Sequence, residues 1–158
     1  MPATRFGDAV TALAAAYTAS IALGGVPVYD GDTVTARADQ DFIITGHDGS
    51  IDNTGALASV APAGEVTQEW MSLAPPARDE KGSIHCVAVS QTGDAADIPG
   101  RRARVQVLLD ACEDAATGAQ DAAGIMFDGT IQATFVYRQN TQGCAVMCAF
   151  TVGYSSPW

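Results

Sequence analysis

Between Glu65 and Ala116 the chain changes its hydrophobic period from two to that of a helix, and this segment constrains the fold more than any other. Val66, Gln68 and Trp70 alternate with Glu65, Thr67 and Glu69, the pattern of a half-exposed strand over Glu65–Leu73. Ser83–Gln91 supplies an antiparallel partner, reached through a Pro75-Pro76 corner and a charged tip, Arg78-Asp79-Glu80-Lys81. After a Gly/Asp turn a helix is predicted from about Asp97, with Pro99 in its first turn, where a missing N–H costs nothing. Its buried stripe is Val105, Leu108, Leu109, Cys112 and Ala115. The unit reads as architecture that displays a charged tip, which suggests contact with other proteins.

The flanking segments extend this plan. Residues 3–22 read as an amphipathic helix with Phe6, Val10, Leu13, Tyr17 and Ile21 on one face, ended by Gly24-Gly25. Val26–Tyr29 is a short strand closed by an Asp30-Gly31-Asp32 hairpin turn, and Asp41–Thr45 is a second strand. Residues 46–64 form a long Gly/Ala/Ser/Asp segment, and Thr117–Asp128 a second loop. Thr130–Arg138 and Cys144–Tyr154 form a closing hairpin around Asn140-Thr141-Gln142-Gly143. Its inward face is Ile131, Ala133, Phe135 and Tyr137 against Cys144, Val146, Cys148, Phe150, Val152 and Tyr154, with polar residues outward. The order predicts one α+β domain over residues 1–158, a mostly antiparallel sheet with both helices packed on one face. No internal repeat or linker divides it.

Composition narrows the partners. Eight Lys and Arg against eighteen Asp and Glu give a net charge of −10. That balance argues against a nucleic-acid binder, which needs a basic stripe to displace phosphate counterions, and against an anionic membrane surface. No run approaches the roughly 20 apolar residues of a membrane span. Asp8, Tyr17, Thr18 and Ser20 interrupt the N-terminal apolar stretch, so it reads as a helix rather than a signal peptide. The four cysteines, Cys86, Cys112, Cys144 and Cys148, read as free buried thiols. Four strand residues between Cys144 and Cys148 span about 13 Å, too far for a disulfide or a shared metal.

Tests for chemistry return little. His85 and Cys86 are adjacent in a strand, so their side chains point to opposite faces and cannot pair. His47 offers Cys86 only a distant base. The run HDGSIDN places Asp48, Asp52 and Asn53 loosely like a calcium loop but lacks its terminal bidentate Glu. No Gly-rich phosphate loop joins a strand to a helix. Arg101, Arg102 and Arg104 crowd the first turns of the second helix, where positive charge opposes the helix dipole. One account is a solvated face compensated by Asp94 or Asp97. The other is that these arginines, with the Arg78–Lys81 tip, reach a neighbouring subunit, and in so acidic a chain another copy would supply the acidic surface.

The helix FGDAVTALAAAYTA, VPVYDGD, the strand DFIITG, and above all EWMSLAPPARDEKGSIHCVAVSQTGD running into RRARVQVLLDACEDAA resemble tail terminator proteins of long-tailed, non-contractile bacteriophages, within the wider head–tail connector and tail-completion group. The likeness spans most of residues 1–116 and is a pattern of elements, with no catalytic signature. It implies a structural virion protein without enzymatic activity or cofactor. Its copies would form a ring, commonly of six, at the tail–neck junction of a particle assembled in the host cytoplasm. The ring would cap the tail tube, contact the major tail tube protein and a neck or head-completion protein, and let DNA pass through its centre. A hexamer would carry roughly −60, which favours sliding over sticking of DNA; Asp48, Asp52 and Asp121 are candidates to face the lumen. A neck or connector protein, or another tube component, would look similar. A ligand-binding or hydrolytic domain would need a pocket between sheet and N-terminal helix, with Tyr17, Trp70 and Tyr137 as its inward polar groups.

Overall fold

The computed structural model describes residues 4–31, 40–73, 76–119 and 124–157. Helix α1 (Phe6–Ala19) and a 3-10 turn (Ile21–Leu23) lead into β1 (Val28–Asp30) and β2 (Asp41–Thr45). Then come β3 (Gly64–Leu73), β4 (Pro76–Thr92), helix α2 (Ile98–Gly118), β5 (Met126–Asn140) and β6 (Gly143–Pro157). The six strands make one sheet in the order β1-β2-β4-β6-β5, with β3 also on β4. The fold is α+β and the sheet mostly antiparallel. Only β1 and β2 run parallel, which overturns the expected hairpin at Asp30-Gly31-Asp32; Asp32 itself lies outside the described residues. Among the described residues no helix is long and apolar enough to cross a membrane.

β4 is the spine. One edge pairs with β6 from Asp79 to Thr92. The other edge holds β2 along Cys86–Ser90 and β3 along Pro76–Ile84, so β2 and β3 follow one another on the same side. The predicted charged tip is therefore not a turn. Arg78, Asp79, Glu80 and Lys81 are strand residues opposite Trp70, Glu69, Gln68 and Thr67. Strand pairing accommodates them because alternate residues face opposite ways, so a charged run needs only one face that accepts charge.

Both helices cover one face of the sheet. Val10, Leu13 and Tyr17 of α1 and Val105, Leu108 and Cys112 of α2 pack on Ile84, Cys86 and Ala88 of β4 and Val146, Cys148, Phe150 and Val152 of β6. The predicted helical stripes hold except at Ile21, which is 98% exposed because α1 stops at Ala19 and Ser20 turns extended. The opposite face is not purely polar as expected. Phe42, Ile44, Val87, Val89 and Met147 form a second, smaller apolar cluster with Tyr29, Leu57 and Val136 beside it. The segment after β2 lies over this face. Gly49, at φ +82°, approaches so closely that a Cβ there would stand 2.7 Å from that of Ala149. His47 is buried in that segment, bonded to the Ala58 carbonyl through Nε2 (2.8 Å) and accepting from Gly49 N–H at Nδ1 (2.9 Å).

All four cysteines are free and buried, as expected. Burial pushes the Cys86 thiol up to about 12 and the Cys148 thiol to about 11, so neither is a ready nucleophile.

Two glycines in the paired strands make room for a pair of rings, Phe6 and Tyr154, whose centroids lie 6.4 Å apart. A Cβ on Gly64 would stand 2.6 Å from the Phe6 ring; one on Gly82 would stand 2.5 Å from the Glu65 carbonyl and 2.6 Å from the Tyr154 ring. Gly82→Ala is expected to lower the unfolding free energy by about 2–3 kcal/mol, because neither the ladder nor the ring can move away cheaply. Urea titration followed by circular dichroism checks this; an unchanged midpoint would mean that the ring is not held against β4.

Candidate assembly surface

The charged residues picked out by the sequence divide into an interior set and a surface set. Glu80 belongs wholly to the interior. It is fully buried, which corrects its placement on an exposed tip. Its carboxylate accepts from Thr4 Oγ1 (3.0 Å), the Arg5 backbone N–H (2.9 and 3.0 Å), Gln68 Nε2 (2.7 Å) and the Tyr154 hydroxyl (2.8 Å). It thus ties the start of α1 to β3, β4 and β6 through one side chain. Arg5 precedes α1 without a side-chain cap of its own, so the anion from the sheet serves the helix N-terminus, where negative charge is favoured. Burial opposes the charge, but the donors from Gln68, Arg5, Tyr154 and Thr4 outweigh it and hold the carboxyl below its ordinary range. Burial and the adjacent Glu80 push the Tyr154 phenol up.

Arg101 and Arg104 are half-buried and paired within the chain. Arg104 Nε donates to Asp41 Oδ2 at 2.8 Å, and Arg101 Nε to Asp97 Oδ2 at 3.2 Å. Arg101 Nη1 donates to the Ser90 hydroxyl (3.1 Å), which in turn donates to Asp41 Oδ1 (2.6 Å). This chain of contacts fixes the first turns of α2 to β2 and β4, and it answers the dipole objection, because the carboxylates of Asp97 and Asp41 flank the cations. Asp97 also caps α2 by accepting from Gly100 N–H (3.2 Å), with Pro99 in the first turn as expected. Arg101 and Arg104 thus find their acidic partners within the chain, not on a neighbouring copy. Arg102 is exposed and donates to the Tyr137 hydroxyl at 3.3 Å.

Asp48 and Asp52 hold turns. Asp48 accepts from the Ser50 N–H (2.8 Å) and the Ser50 hydroxyl. Asp52 accepts from the backbone of Thr54 (2.8 Å) and Ala56 (3.1 Å) and from the Thr54 hydroxyl (2.6 Å). Among the described residues no three His, Cys, Asp or Glu side chains gather where they could hold a metal. Asp121 lies outside the described residues.

Exposed apolar side chains gather on two strands, β3 and β5. β3 and its partner stretch of β4 extend beyond the end of β6, whose Pro157 pairs with Asp79. On this arm Trp70 is 58% and Met71 67% exposed, and the Arg78 guanidinium stacks 4.2 Å from the Trp70 ring centroid. At the opposite edge, β5 keeps the predicted face: Ala133, Phe135 and Tyr137 pair with Phe150, Cys148 and Val146. They are nevertheless exposed, not inward, although Arg102 of α2 reaches the Tyr137 hydroxyl. Of the three inward polar candidates, only Tyr17 is buried; Trp70 and Tyr137 face solvent. The periodicity located the faces, but not how far each position on a face is covered.

Two adjoining grooves flank the β5–β6 turn. The larger, about 490 Å³, is lined by Gln40, Gln91, Thr92, Arg138, Asn140 and Gln142, among others. The smaller, about 320 Å³, has Phe42, Leu57, Val89 and Met147 as an apolar floor. Cys144 lines the first, with its thiol donating to the Asp94 carbonyl at 3.2 Å, and neither histidine lines either groove. No protein-family model and no curated protein matches this chain.

Glu80→Gln replaces an acceptor-only carboxylate by an amide that turns a donor toward its own donors, and it should cost about 2–4 kcal/mol at neutral pH. A carboxyl held low in the fold contributes stability above its unfolded pKa and loses it as pH falls through its folded pKa. The gap between the two proteins should therefore be full above the ordinary Glu range and close below it; a gap independent of pH would contradict a charged Glu80. Arg104→Glu should lower unfolding free energy by about 1–2 kcal/mol, by setting a carboxylate beside Asp41. Equal urea midpoints for this variant and the parent would return Arg104 to the surface set.

Proposed function

We propose that this chain is a structural subunit that assembles with copies of itself into a ring, and that the ring caps the head-proximal end of a bacteriophage tail tube, ends tube growth and joins tail to neck. The observation that carries the assembly step is the extended β3–β4 arm, which presents Trp70 and Met71 to solvent, with Val66 exposed nearer its root, while the core packs without them. A monomer gains nothing from such a display, whereas apolar side chains gathered at a protruding edge mark an interaction surface. The edge strands are long and carry exposed aromatics, a hazard that proteins otherwise blunt and that an assembling subunit uses. The grooves offer amides, two threonine hydroxyls, a guanidinium and a thiol, without the nucleophile and base in contact that acyl transfer would need. The tail-terminal role rests on the sequence likeness over residues 1–116 and on the net charge of −10, which suits a ring through which DNA slides. In this reading the natural partners are the major tail tube protein and a neck protein, and the site of action is the virion.

The test mixes the purified chain with the tube protein encoded in the same genome while that protein polymerises. Shorter tubes, each bearing the chain at one end by electron microscopy, are expected. Unchanged lengths with undecorated ends would overturn the tail-terminal role.

A further inference from the structure

We propose that the β5 edge of one copy pairs with the β3 edge of the next, antiparallel, so that the sheet runs on from subunit to subunit. This rests on the ring reading above and names the contact that would build it. No described strand pairs with the outer edge of β3 or of β5, so both present backbone N–H and C=O groups at opposite sides of one sheet. β3 and β5 run in opposite directions, because each ladder from β3 through β4 and β6 to β5 is antiparallel. A neighbour that continues the sheet in the same sense, with its helices on the same face, therefore meets the β5 edge with an antiparallel β3.

The side chains match face by face. Val66, Gln68 and Trp70 lie on the helix-covered face, since they pair with Gly82, Glu80 and Arg78, in step with Ile84 of the main core. Phe135 and Tyr137 lie on that same face, opposite Cys148 and Val146. The other face of β3 carries exposed Glu65 and Glu69, and the other face of β5 carries Arg138. Arg138 is exposed and has no carboxylate within ion-pair distance among the described residues. With Arg138 opposite Thr67, Phe135 falls opposite Trp70, Tyr137 opposite Gln68, and Glu65 and Glu69 stand diagonally on either side of the guanidinium, within reach of its long side chain. β3 is level with the beginning of β5 rather than with Arg138, so the contact is staggered, as tilted strands in a closed sheet must be. Two unlike patches make a heterologous contact, which closes into a ring when the rotation allows.

The test uses full-length protein in sedimentation over a range of concentrations, with electron microscopy. Arg138→Glu alone, and Glu65→Lys with Glu69→Lys alone, should each sediment as monomers where the parent forms rings, with unchanged circular dichroism. Mixing the two variants in equal amounts should restore rings with an even number of subunits, because every contact in an alternating ring is again between opposite charges. Rings formed by either variant alone at parental concentrations, or failure of the mixture to assemble, would overturn this contact and leave the ring reading standing. A parent that stays monomeric at every concentration, alone and with tube protein, would overturn both.

Discussion

The β4–β6 ladder is the interaction on which the rest of the structure depends. Fourteen consecutive β4 positions, Asp79 to Thr92, face β6 in unbroken register. β2, β3 and β5 attach to one of these two, β1 attaches to β2, and both helices share a core with them. A strand at the centre of a sheet covered on both faces cannot alternate apolar with polar residues; it must be apolar throughout. The run Cys86 to Val89 obeys this, with Cys86 and Ala88 under the helices and Val87 and Val89 under the segment after β2. The side chains on the helix face are also small, which lets Tyr17 and the α2 stripe come close.

That ladder was legible in part. Alternation in Glu65–Leu73 and in the closing hairpin gave strands with correct faces, and the stripes of α1 and α2 gave helices on one face. Three features were not legible, each because its cause is remote in sequence. The Arg-Asp-Glu-Lys run has the composition of a turn, and only the donors of Thr4 and Arg5, some 75 residues away, make a buried strand position tolerable for Glu80. Arg104 looks like a surplus cation until Asp41, 63 residues earlier, is brought beside it. The second apolar cluster needs Leu57, from a segment whose Gly/Asp composition signals a loop and says nothing of what the loop covers.

Glu80 shows how the arm is made rigid enough to act as a surface. An isolated two-stranded ribbon is marginal in water. Here Gln68 of β3 and Glu80 of β4 meet inside the sheet's end, and Tyr154 and the start of α1 close over the same carboxylate. Losing one side chain would therefore loosen the root of the arm and the first turn of the helix together. Gly64 and Gly82 belong to the same arrangement, since side chains there would displace the Phe6 and Tyr154 rings that shield Glu80.

Internal pairing also decides which charges are left for partners. Arg5, Lys81, Arg101 and Arg104 each have an aspartate of the same chain within 4 Å or less. Each pair also occupies an aspartate, so the net charge of −10 is unchanged, while Arg138 on β5 and Arg102, bonded to Tyr137 of β5, place exposed cations at that edge. Two copies of so acidic a chain repel in most orientations. β3 against β3 would bring Glu65 and Glu69 onto their own copies, and β5 against β5 would oppose Arg138 to itself. Only the unlike pairing of β5 with β3 brings opposite charges together while keeping the aromatic face continuous. A contact favoured in one direction and disfavoured in both symmetric alternatives is what a ring needs, because a symmetric pair would stop at two.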